Sequence, residues 1–90
     1  MGATWDPIKA AANARKHRIE FDEAATVFDD PFAATAPDRH HSDTEPRYRT
    51  TGFSNRGRLL VVTSLEFDGT IRIVSARRAT KRERHAHQES

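Results

Sequence analysis

Three features of this chain predict an α+β fold: two helical patterns near the N-terminus, a set of strand-like runs broken by turn residues, and a capped helix at the end. The expected order is two N-terminal helices, an antiparallel β meander of three to four strands, and a C-terminal helix, with the helices packed on one sheet face. Asp6-Pro7 starts the first helix, because an Asp side chain accepts from orphan amides and Pro suits the first helical position. The alanine-rich stretch that follows has no breaker, so the helix is predicted over 7–17 with Ile8, Ala11 and Ala12 facing inward. Phe21, Ala24, Ala25 and Phe28 fall at i, i+3, i+4 and i+7, predicting a second helix over 21–29 that Pro31 ends. Residues 31–46 hold three of the four prolines and no periodicity, and read as an exposed connection with one short strand around Phe32–Thr35.

Strands are predicted over Arg47–Phe53, Leu59–Phe67 and Ile71–Ala76. The first is the exposed edge in this reading, and Ser54-Asn55-Arg56-Gly57 is its turn. Leu59–Val62 is apolar on both alternating faces, the pattern of a central strand covered on two sides. Asp68-Gly69 is the tight hairpin signal, since both central positions of that turn need positive φ. Thr80-x-x-Glu83 forms a capping box that opens the last helix.

Ninety residues are expected to make one domain, 1–90. The absence of cysteine excludes disulfides and thiolate zinc sites. No leader-like apolar run and no stretch near the roughly 20 apolar residues of a membrane span occur, so the chain is predicted to be soluble and cytoplasmic. The net charge of +2 conceals a strong polarity. Arg72, Arg77, Arg78, Lys81, Arg82 and Arg84 crowd the C-terminal end, whereas residues 20–46 carry eight carboxylates against one arginine. Fixed cations gathered on one edge suit a polyanion, RNA first among them, and the acidic region suits a basic protein partner.

Trp5-Asp6-Pro7, Lys9, Asn13 and Lys16-His17 near one end, and Ile71-Arg72-Ile73-Val74-Ser75-Ala76-Arg77, Ala79 and Glu83-Arg84 near the other, are specific patterns. Phe21, Glu23-Ala24, Val27-Phe28, Asp30-Pro31, Arg47-Tyr48, Gly52, Gly57-Arg58 and Val61-Val62 lie between them. The whole string resembles the BrnT family of type II toxins. That resemblance implies a RelE-like ribonuclease that arrests translation, is neutralised by a DNA-binding antitoxin called BrnA, and touches DNA only through that partner. The exposed edge strand over 47–53 leaves a homodimer open, and a heterotetramer with the antitoxin is the other possible assembly. Two positions depart from the family pattern: Arg18 stands where Gly usually follows the Lys-His pair, and His87 where Tyr is usual. Because a left-handed helix cap strains Arg, the first helix is expected to end differently.

Metal-free RNA cleavage, the chemistry so implied, needs a proton acceptor for the 2′-hydroxyl and cations that hold the charge developing on phosphorus. Arginine suits the second task through its planar, permanently charged fork. Arg77 is the first candidate, with Arg47 and Arg58 as helpers from neighbouring strands; Arg72, an odd number of residues away, is expected on the opposite face. Lys81, Arg82 and Arg84 are candidate phosphate contacts on the last helix, alongside Arg72. His17, Glu45, Tyr48, Glu83 and His87 are the choices for acid or base, and none stands out: His17 reads more readily as a buried, hydrogen-bonded junction residue, Glu83 is most simply explained as the capping-box partner, and Tyr48 reads equally as a base-stacking, proton-donating or sheet-packing ring. Trp5 and Asn13 read as structural, the latter bonding a backbone group of another segment. His40-His41 with Asp43 lacks metal-ligand spacing, and neither metal nor cofactor is expected. The competing reading is a non-catalytic RNA- or DNA-binding module, or a co-repressor beside a partner protein.

Overall fold

The computed structural model describes residues 2–38 and 46–89. Its elements are β1 (Thr4–Trp5), α1 (Pro7–His17), α2 (Phe21–Ala25) running into a 3₁₀ turn (Thr26–Asp29), β2 (Ala34–Pro37), β3 (Arg47–Phe53), β4 (Leu59–Phe67), β5 (Thr70–Arg78) and α3 (Lys81–Glu89). They form one five-stranded sheet of order β1-β5-β4-β3-β2, antiparallel except for the β1–β5 pair. β3 is therefore an interior strand, and the exposed edge belongs to β2, which covers it.

α1 starts as its sequence dictates: Asp6 Oδ1 accepts the Ile8 N–H at 3.0 Å, and Pro7 opens the helix. The inward face differs from the expected one, since Ile8 is 78 % exposed and Ala11 and Ala12 are exposed too. Ala10, Asn13, Ala14 and His17 face inward instead. An alanine-rich helix has little hydrophobic contrast, so a polar anchor sets its rotation. Asn13 Nδ2 donates to Ile19 O (3.0 Å) and Ala76 O (2.8 Å), and its Oδ1 accepts the Ala76 N–H at 3.0 Å. The side-chain amide thus serves β5 as a one-residue strand partner beyond the end of β1, satisfying backbone groups that are costly to bury unpaired. At its C-terminus Arg18 itself adopts the left-handed conformation, φ 60°, and its N–H bonds Ala14 O at 2.9 Å. The helix ends as it would with glycine, and the side chain tolerates the strain.

The expected second helix is split. After Ala25 the chain tightens to 3₁₀ geometry, where the Thr26 hydroxyl donates to Glu23 O (2.6 Å) and accepts the Asn55 N–H (2.8 Å). β2 begins two residues later than predicted, because the Phe32 N–H is held in a turn by Asp30 Oδ1 (2.9 Å) while Asp30 Oδ2 takes the Phe53 N–H (2.8 Å). These two amides, Phe53 first, lower the Asp30 carboxyl pKa. Gly52 has a packing reason: a Cβ there would stand 2.9 Å from Ala33 Cβ and 3.0 Å from Val27 Cγ1. The β4–β5 hairpin has the expected turn, with Asp68 at φ 53° and Gly69 at φ 74°.

Ile19, Phe21, Ala24, Val27, Leu60, Val62, Ile73 and Ala76 form the core between α1, α2 and the sheet, and Trp5 meets Phe21 edge-on with ring centroids 6.0 Å apart. Leu59 and Val61 are buried on the other face. α3 lies on that second face, where Glu83, Ala86 and His87 border a shallow cavity with Thr51, and the His87 ring meets Phe53 at 6.2 Å. The helices therefore flank both faces of the sheet. The single packing face expected from the sequence is wrong, although the two-sided apolar pattern of β4 is borne out.

One irregularity sets the geometry of β5. Thr63 pairs with Ser75 but Ser64 pairs with Ile73, leaving Val74 as an extra residue in a β-bulge.

Candidate nucleic-acid interface

Strand register assembles the cations. Arg47, Arg49 and Thr51 alternate onto the face that carries α3, with Arg49 opposite Thr63, which in turn faces Ser75. Arg77 pairs with Val61 on the same face. α3 covers only the Thr51–Phe53 end, and the remainder is an open groove of about 380 Å³. Arg47 and Arg49 line it from β3, Thr63 from β4, and Ser75 and Arg77 from β5. Lys9 reaches it from α1 along the β5 edge, and Asp38 from the end of β2.

Within the groove the cations are held differently. Arg77 is clamped: its Nη1 and Nη2 donate to Glu83 Oε1 (2.7 Å) and Oε2 (2.9 Å). Glu83 also accepts the Thr80 N–H at 2.9 Å, while its own N–H donates to Thr80 Oγ1 at 3.1 Å, which completes the capping box. The Arg77 fork, opposed by partial burial and helped by the Thr80 bonds, pulls the Glu83 carboxyl down to about 2, and Glu83 raises the Arg77 pKa in return. Lys9, Arg47 and Arg49 have no carboxylate partner among the described residues. Arg47 is half-buried, and its Nε is enclosed without any hydrogen-bond partner there. A buried donor left unsatisfied costs about 1–3 kcal/mol, more when charged, and a bound anion removes that cost.

The other predicted site residues lie elsewhere. Arg58 does not join Arg47 and Arg77: its Nε donates to Glu23 Oε2 at 2.9 Å and its Nη2 pairs with Glu23 Oε1. Ser54 Oγ also donates to Glu23 Oε2, at 2.6 Å, and the Arg58 bond is the main cause that lowers the Glu23 pKa. This cluster ties α2 to the β3–β4 turn. Tyr48 alternates to the face opposite Arg47, paired with Ser64. His17 ends α1 half-buried and, contrary to the hydrogen-bonded reading, its ring takes no hydrogen bond among the described residues. Arg72 shares the face of Arg77 despite the odd spacing, because the bulge at Val74 shifts the alternation by one; it pairs with Leu65, beyond the groove lining. Lys81, Arg82 and Arg84 are exposed on α3. Glu45, His40, His41 and Asp43 lie outside the described residues. Among the described residues no three His, Asp or Glu side chains are placed to hold a metal ion.

Three groove residues were missed as site candidates. Arg49 follows Arg47 at i+2 on a strand, which is a same-face signal. Lys9 stands in the Trp5-Asp6-Pro7-x-Lys9 pattern, but only α1 lying along β5 turns it toward the groove. Asp38 gave no signal inside a proline-rich connection.

A family model described as "Ribonuclease toxin, BrnT, of type II toxin-antitoxin system" matches residues 5–83. No curated sequence matches the chain significantly. Among solved structures, the chain resembles the crystal structure of the Brucella abortus ribonuclease toxin BrnT, with a TM-score of 0.68 at 20 % identity, covering 88 % of this chain and 96 % of that one. At that identity the likeness is one of fold, and it agrees with the α+β class. The family match spans both ends of the chain and includes Lys9, Arg47, Arg49 and Arg77 of the groove: the chain belongs to the BrnT family of ribonuclease toxins of type II toxin-antitoxin systems.

Proposed function

We propose that this protein is a metal-independent endoribonuclease that cuts RNA in the Lys9–Arg47–Arg49–Arg77 groove, arrests translation in the cytoplasm in the RelE-like manner, and is neutralised by a BrnA-like antitoxin. The observation that carries this reading is the convergence of four cations from three elements on one groove, with Arg47 Nε buried and unpaired. A phosphodiester seated there meets donors fixed before the reaction begins. Charge growing on the non-bridging oxygens is stabilised without reorganisation, usually the largest single share of catalysis. Arg77 is immobilised by Glu83, and Arg49 and Lys9 are open to solvent and recruit the strand electrostatically. An antitoxin that covers this face inhibits by occlusion and brings DNA to the complex through its own fold. Should the toxin pair with itself, β2 is the strand edge that is open to it.

Because removing Arg77 also strips Glu83 of its partner and loosens α3, the cleaner probes are Arg47→Ala and Arg49→Ala. Purified protein with RNA in the presence of a chelator is expected to yield discrete fragments. Each substitution is expected to slow cleavage about 10²-fold or more without loss of thermal stability. Intact RNA at every concentration of wild-type protein refutes the enzyme reading. Retention on RNA that merely weakens and loses salt dependence in the variants then identifies a binding module.

A further inference from the structure

Metal-free cleavage requires a group that removes the 2′-hydroxyl proton, and the four described residues that chemistry suggested from the sequence are not in the groove or not available there. Tyr48 is on the other sheet face, His17 closes α1, and His87, on α3, stands against Phe53. Glu83 has both carboxylate oxygens engaged by Arg77, and one of them by Thr80 as well. Asp38 is the one carboxylate lining the groove among the described residues.

Its placement is specific. The Asp38 N–H donates to Arg47 O at 2.8 Å, which fixes Asp38 to the strand end that carries Arg47, whose Nε has no hydrogen-bond partner among the described residues. The residue is only 7 % exposed, and what it does expose is groove lining. Lys9 from α1, Arg47 and Arg49 from β3, Thr63 from β4 and Ser75 and Arg77 from β5 line the same groove. No ion pair or hydrogen bond engages its carboxylate among the described residues. A carboxylate without partners among the described residues has lone pairs open to a proton.

We infer that Asp38 is the proton acceptor of RNA cleavage in this groove, an inference that rests on the ribonuclease reading above. The 2′-hydroxyl proton passes to an Asp38 oxygen as the 2′-oxygen bonds to phosphorus. The P–O5′ bond breaks, and the departing 5′-oxygen takes a proton from water. The products are a 2′,3′-cyclic phosphate and a 5′-hydroxyl; Asp38 then returns its proton to solvent, and no metal or other reactant is consumed.

Asp38→Asn preserves shape and removes the acceptor. Single-turnover cleavage is measured against pH, and binding separately with a 2′-O-methyl RNA that cannot be cut. The expected result is a rate lower by roughly 10²–10⁴-fold, loss of the acid limb of the pH profile, and binding of the analogue as tight as in the wild type or tighter. Should the Asn variant melt early, Asp38→Ser is read by the same criteria. A rate within about threefold of wild type, a binding loss that accounts for the rate, or fragments ending in 5′-phosphate each overturn Asp38 as acceptor while leaving the nuclease standing. Wild-type protein that never cuts RNA overturns both.

Discussion

Replacing Glu83 with Gln tests how α3 is held to the sheet. The amide keeps the size of the carboxylate, and its one oxygen can still accept from Arg77 Nη1 and Thr80, so the difference between the two proteins reports the charge together with the Nη2 bond that depends on it. In the folded chain the Glu83 carboxyl titrates near 2 against an ordinary 4.5, chiefly because of the Arg77 fork. At about 1.36 kcal/mol per pH unit this displacement has a ceiling of about 3.4 kcal/mol. The Arg77 and Glu83 side chains are 35 % and 29 % exposed, and screening at that exposure reduces the figure to about 1–2 kcal/mol. A depressed carboxyl contributes stability above its unfolded pKa and loses it as pH falls through the folded value. Urea unfolding at pH 7 should therefore show Glu83→Gln less stable by about 1–2 kcal/mol, and the gap should close between about pH 4.5 and pH 2. Equal stabilities at pH 7, or a deficit of the same size at pH 2.5, would refute the argument.

Two further substitutions test the frame that positions the groove. Asn13→Ala removes three hydrogen bonds and strands the buried N–H and C=O of Ala76, so it should cost about 2–4 kcal/mol in chemical denaturation and speed amide exchange at Ala76 first. Arg18→Gly relieves a non-glycine residue at φ 60° and should raise stability by about 0.5–1 kcal/mol, read as an upward shift of the melting temperature with cleavage unchanged.

Local signals carried much of the fold. The Asp6-Pro7 cap, the Thr80–Glu83 box and the Asp68-Gly69 turn are each satisfied by neighbours a few residues away, and each appears where the sequence puts it; the apolar run of β4 also appears there, although distant segments bury it. What was misjudged depends on partners far along the chain. β1 is two residues long and exists only because β5 offers it an edge. The rotation of α1 is decided by Ala76, sixty-three residues from Asn13. Arg58 looked like a helper of Arg77 until Glu23 claimed it. The candidate site divides the same way: Arg47 and Arg77 were readable from strand alternation, Arg49 was readable but passed over, and Lys9 and Asp38 owe their places to tertiary packing alone.

The extra residue at Val74 acts as a phase shifter for the whole strand. Upstream and downstream of it the odd and even positions exchange sides, so Ile73 and Ala76 both reach the interior while Arg72 and Arg77 both stay outside it. Deleting one residue between Ile73 and Ser75 would send a guanidinium into an oily layer or push an isoleucine into water. Insertions and deletions that a loop tip would absorb are thus forbidden at this point in the middle of a strand, and the length of positive track available to a polyanion is set by a single valine.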